Sequence, residues 1–589
     1  MNAILGKFQK RLQFPDSLMN ESSPAAIPQS QPRLPSWLIA LSLSVFASLA
    51  ILIPLFWLGS ASGHDFEFHA ASWLDVAYQW KHGVLFPRWT AWTNYGFGEP
   101  RYIFYPPLSW MLGAALSLVL PISWVPIAFI FLTQTLAGMS AFFLLRRLVG
   151  STPAYLGAVF YAVNPYALLV TYIRSDFAEQ LACALFPLVL LTALRLAGLL
   201  QDETTKLSAL PQFALSFAAV WLCNAPAGVI ASYSVAFLFA WAALAQRSFW
   251  IAVRAAGGLA LGFGLAGFYL VPAAYEQRWV NIGQALASGL LPSENFLFTQ
   301  IADPEHTWFN WISSICALAL ILLAGITALS SRRFSNDATL SSARKPLWGA
   351  LLLLGSVATL MMLRLTAPFW SVLPKMRFVQ FPWRWMSIMA VVCCCFLAAA
   401  IERRRGWLWF VLVAVLSFPL AYFLAQNTWW DPDEMATQRA AITNGAGYEG
   451  VDEYDPLGDD HMDLPKRAPL AAIFPGEATG SPAAPPSASI QVEQWDTTNH
   501  RLSVDSSAPT RVALRLLNYP TWEVTVNGKR VAPEKPDDLD QMLVPIGAGK
   551  SEIQVRFVRT ADQTAGIALS IFSLLTSAGL LASRKSPNA

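Results

Sequence analysis

Long apolar runs separated by short polar breaks dominate the chain. The first, at 37–58, holds no charged residue and has the roughly 20 positions needed to cross a bilayer. Similar runs follow near 124–145, 153–171, 179–198, 208–223, 226–245, 252–274, 309–329, 346–364, 384–401, 407–424 and 563–582. Together they predict about twelve transmembrane helices. The run Phe104 to Leu120 is ambiguous, and parity decides it. If it crossed, Arg146, Arg147, Arg332, Arg333 and Arg403 to Arg405 would face outward. If it lies in the outer leaflet, all of these face the cytoplasm, as do Arg247, Arg344, Lys345, Arg584 and Lys585. The positive-inside rule favours the second arrangement. Pro106 and Pro107 open this run, where a helix tolerates Pro best. Segments 66–82 and 106–119 are therefore read as outer-leaflet juxtamembrane helices, with both termini cytoplasmic.

After Gln426 the pattern changes. Residues 425–489 are polar, with an acidic stretch GYEGVDEYDPLGDDHMD and a linker SPAAPPSAS. The acidic stretch lacks the spacing and closing Glu of an EF-hand and reads as a solvated loop over the outer face. From 490 to 560 apolar residues alternate, and Asn527-Gly528 marks a two-residue hairpin. The domain plan is a tail at 1–35, a helical membrane domain at 36–424 with its first external loop at 59–123, and a loop and linker at 425–489. A small extracytoplasmic antiparallel β-sandwich at 490–560, a last span at 563–582 and a tail at 583–589 complete it.

Composition agrees with the pattern. The chain is 55% hydrophobic, only 13% charged, and its net charge of +3 gives no footprint for nucleic acid. Its six cysteines fall in or beside apolar runs and read as small buried residues. The first apolar run starts too late and runs too long for a cleaved signal.

Charge becomes informative just outside the apolar runs. The stretch GHDFEFH puts Asp65, Glu67 and His69 directly after the first span, where ionisable groups are costly unless paired or functional. A purely structural role for Asp65 would be a helix cap. Arg174, Asp176 and Glu179 follow the third span, and the latter pair has capping-box spacing. Lys375, Arg377 and Arg384 lie among aromatics and prolines. Positive residues on the outer side point to a bound anion, or to headgroup snorkelling. His64 and His69 could join Asp65 around a divalent cation, but no ligand set is complete.

The order of these pieces resembles the GT-C superfamily of integral-membrane glycosyltransferases, which use polyprenyl-phosphate-linked sugars. GHDFEFH, FYPPLSWMLGA and FFLLRRLVG carry that resemblance. PRWTAWTNYGFGEP, YIRSDFAEQLACALFPLVLL, RFVQFPWRW and NYPTWEVTVNGK are similar to bacterial YfhO-type and pyruvoyl-tetrahydropterin-synthase-related membrane proteins. The resemblance implies a GT-C-like fold and an inverting transfer at the outer face of the bacterial cytoplasmic membrane. It implies Asp65 as catalytic, with Glu67 completing a D-x-E pattern. A carboxylate base suits an attacking hydroxyl, and a leaving phosphate needs positive charge. Arg174, Lys375, Arg377 and Arg384 are the phosphate-binding candidates. Asp176 and Glu179 are secondary acidic positions for donor or a divalent cation, the one cofactor the residues suggest. His69, Trp89 and Tyr105 are expected to line the substrate site. The partners implied are a polyprenyl-phosphate-linked sugar, a glycan, lipid or protein acceptor, and membrane lipids. A transporter or flippase of lipid-linked glycan would spread polar residues through the span interiors. A scaffold without chemistry would have no use for the D-x-E pair.

Overall fold

The computed structural model describes residues 34–200, 206–332, 345–402, 406–457, 464–474, 487–536 and 540–582. The tails, the acidic segment 458–463, most of the linker, and Arg333, Arg344, Arg403 to Arg405, Arg584 and Lys585 lie outside the described residues. The protein is mostly helical, with a β-sheet region near its C-terminus.

Among the described residues, eight helices are long and apolar enough to cross a membrane: Ser36–Leu58, Ile122–Leu145, Ser151–Arg174, Phe177–Leu196, Ala225–Ala245, Pro304–Ser331, Pro382–Ile401 and Ala561–Ala582. Two further apolar runs are broken. Phe249–Leu265 turns by 77° into Gly267–Trp279, and Lys345–Met361 turns by 90° into Arg364–Val372, giving up to ten spans. The runs expected at 208–223 and near 407–424 are the shorter apolar helices Ser208–Cys223 and Val411–Gln426. The difference from about twelve therefore lies in length and bending, since apolar helices occupy every predicted position.

Pro107–Val119 has 13 residues and opens on Pro at its first turn. At about 1.5 Å per residue it reaches about 20 Å, short of a hydrocarbon core about 30 Å thick. Pro382–Ile401 is the innermost span, and beyond Arg384 at its start its helix Met386–Ile401 is apolar and buried on all sides. Small residues allow its neighbours to approach closely, and Cys393, Cys394 and Cys395 are buried there as free thiols.

The β region forms two antiparallel sheets. Five strands lie in the order Ala488–Trp495, Asn499–Ser506, Gly549–Phe557, Trp522–Val526, Lys529–Val531. Three more lie in the order Ala471–Phe474, Thr510–Leu517, Gln541–Ile546. Alternate residues such as Leu502, Val504, Val512, Leu514, Ile553 and Val555 are buried in one core, as the period of two requires. Asn527 and Gly528 both have positive φ, 53° and 75°, and join Val526 to Lys529. That is the two-residue turn their sequence favours.

This core does not stop at the sheets. Trp89, Phe97, Ile103 and Phe104 from the first loop belong to it. Trp89 meets Trp522 edge-on at 5.4 Å between ring centres and lies 5.8 Å from Tyr519. The β region is thereby packed against the loop that carries GHDFEFH.

Candidate active site

Local backbone geometry brings the first loop to the third span. Val170–Arg174 is a π-helical turn, and Ser175 follows with φ 52°. Such turns interrupt the regular ladder and are frequent at functional sites. Asp65 N donates to Arg174 O at 2.9 Å, and Gly63 N to Ser175 Oγ at 3.1 Å. A Cβ on Gly63 would lie 2.3 Å from the Ile173 carbonyl oxygen, so only glycine permits this approach.

The side chains there form one ionic cluster. Arg174 pairs with Asp65, and its Nη2 is 3.6 Å from Asp176 Oδ2. Arg384 Nη2 is 3.4 Å from the same oxygen, and its Nε donates to Glu179 Oε2 at 3.1 Å. Tyr166 donates its hydroxyl proton to Glu179. His69 Nε2 lies 3.4 Å from Asp176 Oδ1. Burial opposes ionisation of Asp176, but His69, Arg384 and Arg174 hold its carboxyl well below the usual carboxylate range. Asp176 Oδ1 also accepts from Glu179 N at 2.9 Å, so the expected helix cap is real. Asp176 and Glu179 thus orient the two arginines.

Aromatic faces complete the setting of the guanidinium groups. Arg174 lies 5.0 Å from the Phe381 ring centre and 5.2 Å from that of Trp383, and Arg384 lies 4.8 Å from Phe381. Gln380 is held at φ 63°, ψ −58°, a strained conformation for a residue with a Cβ. It accepts from Arg384 Nη1 at 3.3 Å and donates to Ala285 O at 2.7 Å. The Arg174 Nε is buried and has no hydrogen-bond partner among the described residues.

The cluster opens into a cavity of about 1400 Å³. Asp65, Tyr105, Arg174, Asp176, Lys375 and Arg384 all line it. Asp65 keeps 32% of its side chain exposed, against 4% for Asp176 and 2% for Glu179. It is the accessible carboxylate of the cluster. Trp221, Val229, Leu270, Phe309 and Phe378 supply apolar wall. His64 stands there too, edge-on to Phe309 at 4.9 Å. Desolvation by the cavity walls and the Arg174 charge push its imidazole down to about 4, although its side chain stays open to the cavity.

Other expected residues lie elsewhere. Glu67 is exposed and accepts from Gln438 Nε2 at 2.7 Å, away from the cavity. Arg377 is exposed beside Phe378 and does not line the cavity. Trp89 is committed to the β-region core, and His69 sits behind Asp176. Asp75 is fully buried, accepts from Gln79 Nε2 at 3.1 Å and Ala91 N at 2.9 Å, and is pushed up to about 6 by burial. It pins the first loop. Among the described residues, no group of three or more His, Cys, Asp or Glu is arranged to hold a metal ion.

Sequence reasoning missed Tyr166, Gln380, Phe381 and the cavity residues Glu453 and Tyr454. Gln380 and Phe381 lie within RFVQFPWRW, and Tyr166 lies shortly before YIRSDFAEQLACALFPLVLL. Glu453 and Tyr454 belong to the stretch taken for a solvated loop.

Apolar helices, a charged cavity at one end of the bundle and a β region packed beside it define a polytopic membrane protein. Residues 102–427, more than half of the chain, match the family described as 6-pyruvoyl-tetrahydropterin synthase related domain, membrane protein. The chain belongs to that family. No curated protein matches it. Among solved structures it is similar to the oligosaccharyltransferase of Archaeoglobus fulgidus in its apo form, with 15% identity and a TM-score of 0.38 over 66% of this chain and 55% of that one. The archaeal oligosaccharyltransferase AglB from Archaeoglobus fulgidus, in complex with an inhibitory peptide and a dolichol-phosphate, gives 15% identity and a TM-score of 0.35 over 68% and 56%. The chain thus spans little more than half the length of these structures.

Proposed function

We propose that the protein is an inverting glycosyltransferase. It moves a sugar from a polyprenyl-phosphate donor to an acceptor hydroxyl at the outer face of the bacterial cytoplasmic membrane. Asp65 takes the acceptor proton as the acceptor oxygen bonds to C1 of the sugar. The bond from C1 to the phosphate oxygen breaks, and polyprenyl phosphate leaves with one additional negative charge. Arg174 and Arg384 stabilise that charge, and Lys375 adds a more exposed cation at the rim.

The observation that supports this reading is the convergence of an accessible carboxylate and two oriented guanidinium groups on one cavity with apolar walls. The unpaired Arg174 Nε favours an anionic ligand, because a buried donor without a partner costs about 1–3 kcal/mol. Native mass spectrometry with undecaprenyl phosphate tests the donor end. Arg174→Ala and Arg384→Ala should each lose most of the adduct, and Arg146→Ala, exposed at the far end of its helix, should keep it. Equal retention by all three variants would overturn the reading.

A further inference from the structure

We propose that Glu453, Tyr454 and Tyr105 form an acceptor subsite for a neutral carbohydrate, next to Asp65 in the same cavity. The proposal rests on the transfer reading and names the substrate class for its second half.

The loop bearing Glu453 is built into the fold. Glu99 Oε2 accepts from Val451 N at 3.2 Å, and Asp455 Oδ1 accepts from Asn94 Nδ2 at 2.9 Å. On the other side, Asn281 N donates to Asp455 O at 2.9 Å. A Cβ on Gly450 would lie 1.9 Å from Asn94 Oδ1, so the chain passes there only as glycine. These contacts flank Glu453 on both sides and fix its backbone, which is the preorganisation a specificity residue requires.

The surroundings have the chemistry of sugar recognition. A pyranose presents hydroxyls at its edge and C–H groups on its faces. Hydroxyls suit carboxyl and phenol partners, and C–H faces suit aromatic rings. Tyr454 stacks on Phe104 with ring planes 4° apart, and Tyr105 meets Phe68 edge-on at 4.7 Å. All four rings line the cavity. The Tyr105 hydroxyl makes no hydrogen bond among the described residues, although burial and the nearby Asp176, Tyr454 and Asp65 push its pKa well up and keep it a donor. Tyr105 reaches the ionic cluster through His69, whose ring centre is 5.9 Å away and whose Nε2 lies 3.4 Å from Asp176 Oδ1, while Phe104, its neighbour in the chain, carries Tyr454. A sugar held by Glu453 would therefore share the cavity with Asp65.

Charge sorts the two substrates. The arginine end attracts an anion. At the other end Glu453 has Glu99 and Asp452 as neighbours, and burial with the Glu99 charge pushes it up to about 7. A carboxyl in that state can donate or accept, which suits a hydroxyl, and the carboxylates around it, with the nearby Arg101 engaged by Glu99, disfavour a phosphate or uronate.

The test uses the full-length protein in lipid nanodiscs and saturation-transfer NMR on a mixture of methyl hexosides, with methyl glucuronide as the anionic probe. Saturation should reach at least one neutral hexoside and not the glucuronide. Glu453→Ala should weaken that hexoside by about tenfold, the loss of one hydrogen bond to an ionisable group. Glu453→Gln should recover part of it, and Arg146→Ala, exposed at the far end of its helix, should match the parent. No hexoside signal, equal signals in Glu453→Ala and parent, or preference for the glucuronide would each overturn the subsite. Undecaprenyl phosphate binding, measured on the same variants, separates the two proposals. Loss of the sugar signal alone in Glu453→Ala supports the subsite, whereas indifference of the lipid to Arg384→Ala defeats the transfer reading and leaves the sugar result intact.

Discussion

Asp65 is held by one guanidinium on one side and faces the cavity on the other. As a base it must stay ionised while the acceptor is bound. Asp65→Asn keeps size and most hydrogen bonding but removes the proton acceptor. Loss of a general base lowers rate by about 10²–10⁴-fold, roughly 3–5 kcal/mol of barrier. A partly exposed ion pair contributes only about 1 kcal/mol or less. The variant should therefore melt near the parent temperature yet lose transfer from a polyprenyl-phosphate sugar. Retention of more than about a tenth of parental turnover removes Asp65 as the essential base. Asp75 is no neutral comparison, since it pins the loop. Glu67→Gln is a better one and should keep its activity, because its carboxylate points away. The gathering of Asp65, Arg174 and Arg384 around one cavity was legible because charge beside an apolar run needs a reason. The D-x-E pattern misled because residues two apart on a helix do not share a face. Arg377 and Arg384 were indistinguishable in sequence. Only the turn at Gln380 separates an exposed arginine from a buried one.

Elements were legible where periodicity and turn chemistry agreed. The alternating strands and the Asn527-Gly528 hairpin appear where the pattern put them, and the short helix after Pro106 starts on its prolines. The 77° bend was not legible, because apolar residues continue on both sides of its break, whereas the 90° bend falls beside Arg364, where the predicted run 346–364 ends. The acidic stretch was misjudged for a related reason: buried partners such as Asn94 and Glu99 are over 300 residues distant. Two substitutions test the elements that position the site. Gly63→Ala should cost about 1–3 kcal/mol, because the new Cβ meets backbone that cannot yield. It should also lower turnover by shifting Asp65 from Arg174, and a parental melting temperature would contradict the close approach. Trp89→Ala removes an aromatic anchor worth about 3–5 kcal/mol in a core. Limited proteolysis should then cut the β region faster, while undecaprenyl phosphate binding at Arg384 persists. Equal cleavage rates would mean that Trp89 does not secure the β region.

For the whole molecule the decisive question is which end of the bundle faces outward. Phe56 and Trp124 meet at 6.0 Å at the end that carries Asp65. From there Val125–Leu145 runs 21 residues, about 31 Å, to the exposed pair Arg146 and Arg147. Gly150 N donates to Glu402 Oε1 at 2.8 Å at that far end. The β region is tied to the Asp65 end through Trp89, so Arg147 and the exposed hairpin residue Lys529 belong to opposite ends. Arginines close to the ends of spans are retained on the cytoplasmic side. We therefore expect Arg147→Cys to resist a membrane-impermeant maleimide in intact cells and to react once the membrane is opened. Lys529→Cys should react in intact cells. The native cysteines leave the assay quiet, since five of the six are buried and Cys183 is largely so. Labelling of both positions from outside would contradict a bilayer around these helices. Labelling of Arg147→Cys alone would invert the molecule, put the cavity on the cytoplasmic side and remove the case for an outer-face donor.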